Sequence, residues 1–285
     1  MARIYPERVR VRARPHAPAQ GRYACVVSTA DLLALYDRHE RREARPPGLT
    51  VEVTPRVVRH IGPPGHPCWV LYADLDGIDA DDVIRGEQAH FGALGRGFEW
   101  KHFAHDRPAD LAARLVAAGF VAEVPEALMA LDLASPPAWL DASAGHGVRE
   151  GGAEYLDAVG SVMAAVWPDQ ASRIAEQLAI QLGEAPDAMR LFVAFEGPNP
   201  VAAAWSLRTA GSPFLSLFGG SSLPEHRGRG HYRALVAARA RYALGQGARA
   251  LTVDAGPMSA PILGRLGFEQ LTTTTPFVWQ PPASR

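Results

Sequence analysis

Residues 227–230 alternate arginine and glycine, Arg227-Gly228-Arg229-Gly230, just before a stretch rich in Ala, Leu and Arg. Residue types in this order can hold an anion. If 231–244 is a helix, its first backbone N–H groups lack partners and its dipole favours negative charge there. Gly228 and Gly230 carry no side chains, so an anion can approach those N–H groups closely. Arg227 and Arg229 add positive charge. A phosphate or pyrophosphate suits such a turn. The plain alternative is an Arg/Gly surface turn without a ligand.

The elements that must position this turn lie on either side of it. Phe214-Leu-Ser-Leu-Phe-Gly-Gly-Ser-Ser222 reads as a strand and 231–244 as a helix. The common nucleotide loops do not fit: there is no G-x-x-x-x-G-K-[ST], and G-x-G-x-x-G would need a glycine where Arg233 stands. The order Arg227-Gly228-Arg229-Gly230-His231-Tyr232 instead resembles the Arg/Gln-x-x-Gly-x-Gly/Ala turn of GNAT-type N-acetyltransferases. Leu223-Pro224-Glu225 stands where that family often has x-Pro-Glu. Gly267-Phe268 closes a further helix, 257–266, as the family's last motif does.

The resemblance covers about residues 145–282. It implies acetyl-CoA as co-substrate, with Ser222, Leu223, Arg227, Gly228, Arg229, Gly230, His231 and Tyr232 binding it. Some positions depart from the family. Tyr232 stands where Gly or Ala is usual, but its N–H can still bind phosphate. The family often carries an Asn and a Tyr in its closing motif, and here those places hold Gly256 and Leu263. The Tyr is the usual acid for the leaving thiolate, a role Leu263 cannot fill.

Acetyl transfer to an amine requires a held donor, a deprotonated amine, a stabilised oxyanion and a departing thiolate. By the resemblance, the oxyanion is met by a backbone N–H where the central strand splays, around Gly219 to Ser222. Glu225, His226, His231, Asp254 and Asp169 are the candidates for the base, with Asp254 and His231 foremost. Asp254 ends the strand after the phosphate helix, and a water chain could replace a dedicated base. Asp169 follows Trp167-Pro168 and also suits a helix N-cap. The acceptor is expected to be a small-molecule or peptide amine. The rival reading is a coenzyme A-binding regulatory module without catalysis, and another acyl chain stays open.

Composition bounds the rest. The chain has 285 residues, 47% apolar and 21% charged, with a formal net charge of -1. Nothing draws it toward nucleic acid or an anionic membrane. Lys101 is the only lysine, a bias consistent with a GC-rich bacterial genome. Cys25 and Cys68 form no pattern and suit a reduced, cytoplasmic setting. No apolar run is long enough to span a membrane. The Arg-rich segment 1–14 lacks the apolar stretch of a secretory signal and reads as an extension or edge strand. His60, His66, His102 and His105 are scattered, and no metal is expected.

The sequence also repeats itself. Ala93-Leu-Gly-Arg-Gly97 matches Ala243-Leu-Gly-Gln-Gly247, and Gly119-Phe120 matches Gly267-Phe268, offset by 150 and 148 residues. Such order argues for two related α/β domains of GNAT type, each a mixed, mostly antiparallel sheet flanked by helices. The expected division is 1–134, a linker at 135–147, and 148–285. The first copy reads as helix 30–42, strands 55–61 and 68–73, helix 79–94, and strands 98–103 and 127–133. The second reads as strand 147–150, helices 152–166 and 169–182, strands 190–196, 200–208 and 213–222, helix 231–244, strand 248–254, helix 257–266 and strand 275–280. Where the second copy has its phosphate turn, the first has Asp74, Asp76, Asp79, Asp81 and Asp82. Those charges would repel a pyrophosphate. Asp79 suits a helix cap, and the spacing misses that of an EF-hand. The first copy is therefore expected to be degenerate, a scaffold for the acceptor cleft or a homodimer contact.

Overall fold

The computed structural model describes residues 28–142 and 147–282. The Arg-rich segment with Cys25 and part of the 135–147 linker lie outside the described residues. The first half runs α1 (Thr29–Tyr36), a π-helical turn (Asp37–Arg42), β1 (Thr50–Val53), β2 (Val57–Ile61), β3 (Cys68–Ala73), α2 (Ala80–Ala93), β4 (Phe98–Phe103), α3 (Leu111–Ala117), β5 (Val121–Ala122), β6 (Glu126–Asp132) and the short α4 (Trp139–Ala142). The second runs β7 (Val148–Gly151), α5 (Leu156–Val166), α6 (Ala171–Glu184), β8 (Met189–Glu196), β9 (Asn199–Leu207), β10 (Phe214–Ser222), α7 (His231–Gly245), β11 (Ala250–Ala255), α8 (Ala260–Arg265) and β12 (Glu269–Trp279).

The repeat is visible in the hydrogen bonds that end the helices. A helix often closes with a bond from an N–H beyond its end back to a carbonyl five residues earlier, which satisfies an otherwise orphaned acceptor. Phe120 N–H donates to Leu115 O at 3.0 Å, and Phe268 N–H to Leu263 O at 3.1 Å. Arg96 N–H donates to Phe91 O and Ala248 N–H to Ala243 O, both at 2.9 Å. Gly95, rather than Gly97, is thus the counterpart of Gly247, since both adopt positive φ at this bond.

The two halves share one sheet. Its order is β1-β2-β3-β4-β12-β6-β11-β10-β9-β8-β7, with β5 attached to β12. Each half gives its last strand to the other: β12 pairs with β4, from Thr274↔Phe103 to Trp279↔Phe98. In return β6 pairs with β11, from Ala250↔Asp132 to Ala255↔Ala127. The pairs β3–β4 and β10–β11 are parallel, and all others are antiparallel. A core cluster of Leu32, Tyr36, Phe103, Leu128, Phe214 and Ala250 packs α1 over this junction. Its members come from both halves, so burial there stabilises them jointly.

Most elements fall where the spacing predicts. β1 was not foreseen, because Thr50-Val-Glu-Val lies between Pro46-Pro47-Gly48 and Pro55, a context that reads as loop. β12 begins at Glu269 rather than near 275, because its Thr272-Thr-Thr-Thr275 run lacks apolar alternation and is a strand through its pairing with β6 and β4. Asp79 caps α2 as expected, accepting from Asp81 N–H at 2.9 Å. Asp169 is not a cap. It is exposed, and α6 follows Gln170 with no side-chain cap. Among the described residues no helix is long and apolar enough to cross a membrane.

Candidate active site

The turn after β10 has the form its residues dictate. A 3-10 turn, Pro224–His226, lowers the chain to Gly228 and Gly230, at φ +74° and +89°. Gly230 is the N-cap of α7, and the helical ladder begins with Ala234 N–H donating to Gly230 O at 2.9 Å. The N–H groups ahead of it are the orphans of a helix start. Arg227 and Arg229 are exposed beside them, with Arg227 Nε donating to Ser222 O at 3.3 Å. Glu196, at the end of β8, braces the turn from the side. It accepts from His231 Nε2 at 2.8 Å and from Arg229 Nη1 at 3.3 Å, and His226 Nδ1 lies 3.2 Å away. Hydrogen bonds from His231 and His226 hold the Glu196 carboxyl below the usual range. Among the described residues this trio is the one group whose donor atoms, all within 4.8 Å, could hold a metal ion. The Arg229 guanidinium on the same carboxylate competes with such an ion.

Upstream of the turn, β10 parts from its parallel neighbour. β10 and β11 pair only from Phe214↔Ala250 to Ser216↔Thr252. On its other side β10 bulges against β9 between Phe218 and Ser221. Gly219 permits this with φ +62°, and a side chain there would overlap the Trp205 ring. Behind the bulge, buried Arg239 of α7 donates to Leu235 O at 3.1 Å and to Phe218 O at 3.4 Å. Burial brings its pKa down to about 10.

A cavity of about 1060 Å³ opens where the strands diverge. Both halves line it: Tyr36, Glu99 and Lys101 from the first, and Trp205, Phe218 and Asp254 from the second. Asp254 on β11 pairs with Lys101 on β4 and accepts from Thr274 Oγ1 at 3.4 Å. Burial disfavours the Lys101 ammonium, but Asp254 outweighs this, and the lysine titrates above its usual value. Glu40 accepts from Ser212 and Ser216 hydroxyls, and burial still pushes its carboxyl up. Burial likewise raises Glu99 and Glu126.

No family model matches the chain, and no curated protein does. Solved structures do. A GCN5-related N-acetyltransferase from Kribbella flavida aligns over 90% of this chain and 94% of its own, at 18% identity and TM-score 0.61. A tandem GNAT protein from the clavulanic acid biosynthesis pathway aligns over 93% and 91%, at 18% identity and TM-score 0.56. A conserved protein of unknown function from Staphylococcus epidermidis ATCC 12228 aligns over 86% and 98%, at 11% identity and TM-score 0.62. Each alignment spans both halves of this chain. The chain has a tandem GNAT fold.

Within this GNAT fold the expected site residues separate into two groups. Ser222, Leu223 and Arg227 to Tyr232 form one continuous feature, the turn and helix start. Asp254 lies instead in the cavity wall beside Phe218. His231 is buried against Glu196 and is not among the residues lining the cavity. Glu225 and Asp169 are exposed away from it. Leu263, in the place of the family's Tyr, is fully buried in the core of the second half. Sequence spacing missed Glu40, Glu99, Lys101 and Glu126, which come from three elements of the first half: the π-helical turn, β4 and β6. The one available signal was Lys101, the single lysine of an arginine-rich chain.

Proposed function

We propose that the chain is an acetyl-CoA-dependent N-acetyltransferase acting on a primary amine of a small molecule or peptide. The supporting observation is the junction of three features: the Arg/Gly turn at the start of α7, the divergence of β10 from β11, and a large cavity at that divergence. In this reading 148–285 is the donor-binding half, and 1–134, joined through 135–147, completes the acceptor cleft. The pyrophosphate of acetyl-CoA sits on the N–H groups at the start of α7, with Arg227 and Arg229 alongside. Five aspartates at the matching place in the first half leave one such site per chain.

The thioester then reaches the bulge at Phe218–Ser221, whose main chain supplies the oxyanion donor. The amine enters from the cavity. Asp254 takes its proton, and the ion pair with Lys101 holds the carboxylate in place. The amine nitrogen forms a bond to the acetyl carbon and the carbon–sulfur bond breaks. Amide and coenzyme A thiol leave, with one net proton released to solvent.

Leu263 favours a second reading, a coenzyme A-binding regulatory module, because no tyrosine stands there to protonate the thiolate. Thiol release by the purified chain with acetyl-CoA and an amine panel separates the two. Turnover with any amine supports the enzyme. Coenzyme A binding without thiol release across the panel supports the module.

A further inference from the structure

The charged side chains of the cavity wall are nearly all carboxyl groups. Glu40, Glu99, Glu123, Glu126 and Asp254 line it, against a single ammonium, Lys101, and no arginine. An ionised carboxylate can only accept hydrogen bonds. Lys101 is already engaged with Asp254, and Trp69 Nε1 with Glu99 at 3.2 Å. Five carboxyl groups thus face a single ammonium. The cost of burying such groups is met only by a cation or by protonation.

His60 adds an independent observation. It lines the same cavity and is 3% exposed. Its ring is hydrogen-bonded to the Ala44 backbone carbonyl, and its buried Nε2 has no hydrogen-bond partner among the described residues. The nitrogen that donates to Ala44 carries the proton, so Nε2 presents a lone pair. Burial keeps the ring neutral, with its pKa lowered to about 4. A buried acceptor without a donor is uncommon and points to a donor that is absent from the bare protein. Between these groups the wall is apolar and aromatic, with Tyr36, Trp69, Trp205 and Met189. That surface suits methylene chains and the faces of cations. The volume, at the top of the range for small-molecule sites, exceeds the needs of a simple monoamine.

We propose that this cavity takes a small oligoamine carrying at least two ammonium groups, one presented at Asp254 for acetylation and another held among Glu99, Glu126 and His60. This rests on the reading of the cavity as the acceptor site of an acetyltransferase. It disfavours amino acids and other carboxylate-bearing amines, whose carboxylate would face a wall with five carboxyl groups and one ammonium already paired with Asp254. It also gives product release a cause, since acetylation removes one positive charge from the ligand.

The test uses the full chain with spermidine, 1,4-diaminobutane, n-butylamine and glutamate. Thiol release should give a kcat/KM at least ~100-fold higher for spermidine or 1,4-diaminobutane than for n-butylamine, the scale of about two charge-assisted contacts. Glu99→Gln and Glu126→Gln should each reduce that preference about tenfold. Both replace a carboxyl already pushed toward its neutral form with a neutral isostere, so folding should survive. Calorimetric binding of spermidine to the chain saturated with coenzyme A supplies a readout apart from turnover. Spermidine binding without thiol release would support the oligoamine site and remove the catalytic reading. Equal or better use of n-butylamine or glutamate, or no spermidine binding, would overturn the oligoamine site while leaving an acetyltransferase in place.

Discussion

Asp254 and Lys101 meet across the strand exchange, one from β11 and one from β4. Their pairing has a testable consequence at the residue scale. Asp254→Asn keeps the shape and removes the proton acceptor, so kcat/KM should fall ~10²–10⁴-fold, the usual contribution of a general base. Glu99 and Glu126 also act on the Lys101 charge, which keeps the lysine from isolation in the variant. A fall of less than threefold would give the proton to water or another group. His60 makes a second, thermodynamic prediction. Its folded pKa of about 4 lies below the ordinary 6.5. The unfolded chain therefore binds a proton first as pH falls, so the stability from a neutral His60 is complete above pH ~6.5 and is lost toward pH ~4. Between pH ~7.5 and ~4.5 the wild type should lose roughly 2–3 kcal/mol more than His60→Gln. Urea melts at the two pH values measure this, and equal losses would mean that the ring is protonated in the fold.

At the element scale, the turn and α7 act as one unit. Gly230 caps the helix at φ +89°, so any side chain there carries strain of ~1–3 kcal/mol. Gly230→Asn and Gly230→Asp share that strain and nearly the same shape but differ in charge. Both should melt below the wild type. Coenzyme A should still raise the melting temperature of the Asn variant in part, and that of the Asp variant not at all. An equal rise in both would remove the anion-cradle account. The sequence made this unit legible because its chemistry is local: glycines, arginines and a helix start within about ten residues. The cavity was illegible for the opposite reason. Glu40, the β4 pair Glu99 and Lys101, and Glu126 stand on three elements of the first half, and only the exchange of β6 and β12 brings them to Asp254. The Thr-rich start of β12 likewise became a strand through its partners rather than its own pattern.

At the scale of the whole molecule, that exchange makes the halves one folding unit. A fragment ending at residue 134 would leave β4 without β12 and β6 without β11. Such exposed edges and apolar faces favour aggregation. Residues 1–134 and 148–285 expressed separately should show no cooperative thermal transition, and circular dichroism tests this. A sharp melt in either fragment would show that the strand exchange is dispensable. The repeat at the Gly-Phe and helix-end positions is matched by like helix-ending hydrogen bonds in both halves, but it did not reveal that the halves interlock. The joint cavity is what the interlocking provides: the second half gives Asp254, and the first gives Glu40, Glu99, Glu123 and Glu126. The most direct test of this account is thiol release by the purified full chain with acetyl-CoA and spermidine, with the amide product followed by mass spectrometry. The account predicts coenzyme A thiol and N-acetylated amine in equal amounts, with both lost in Gly230→Asp. Coenzyme A binding with no thiol release and no amide, for spermidine and for every other amine tried, would contradict it.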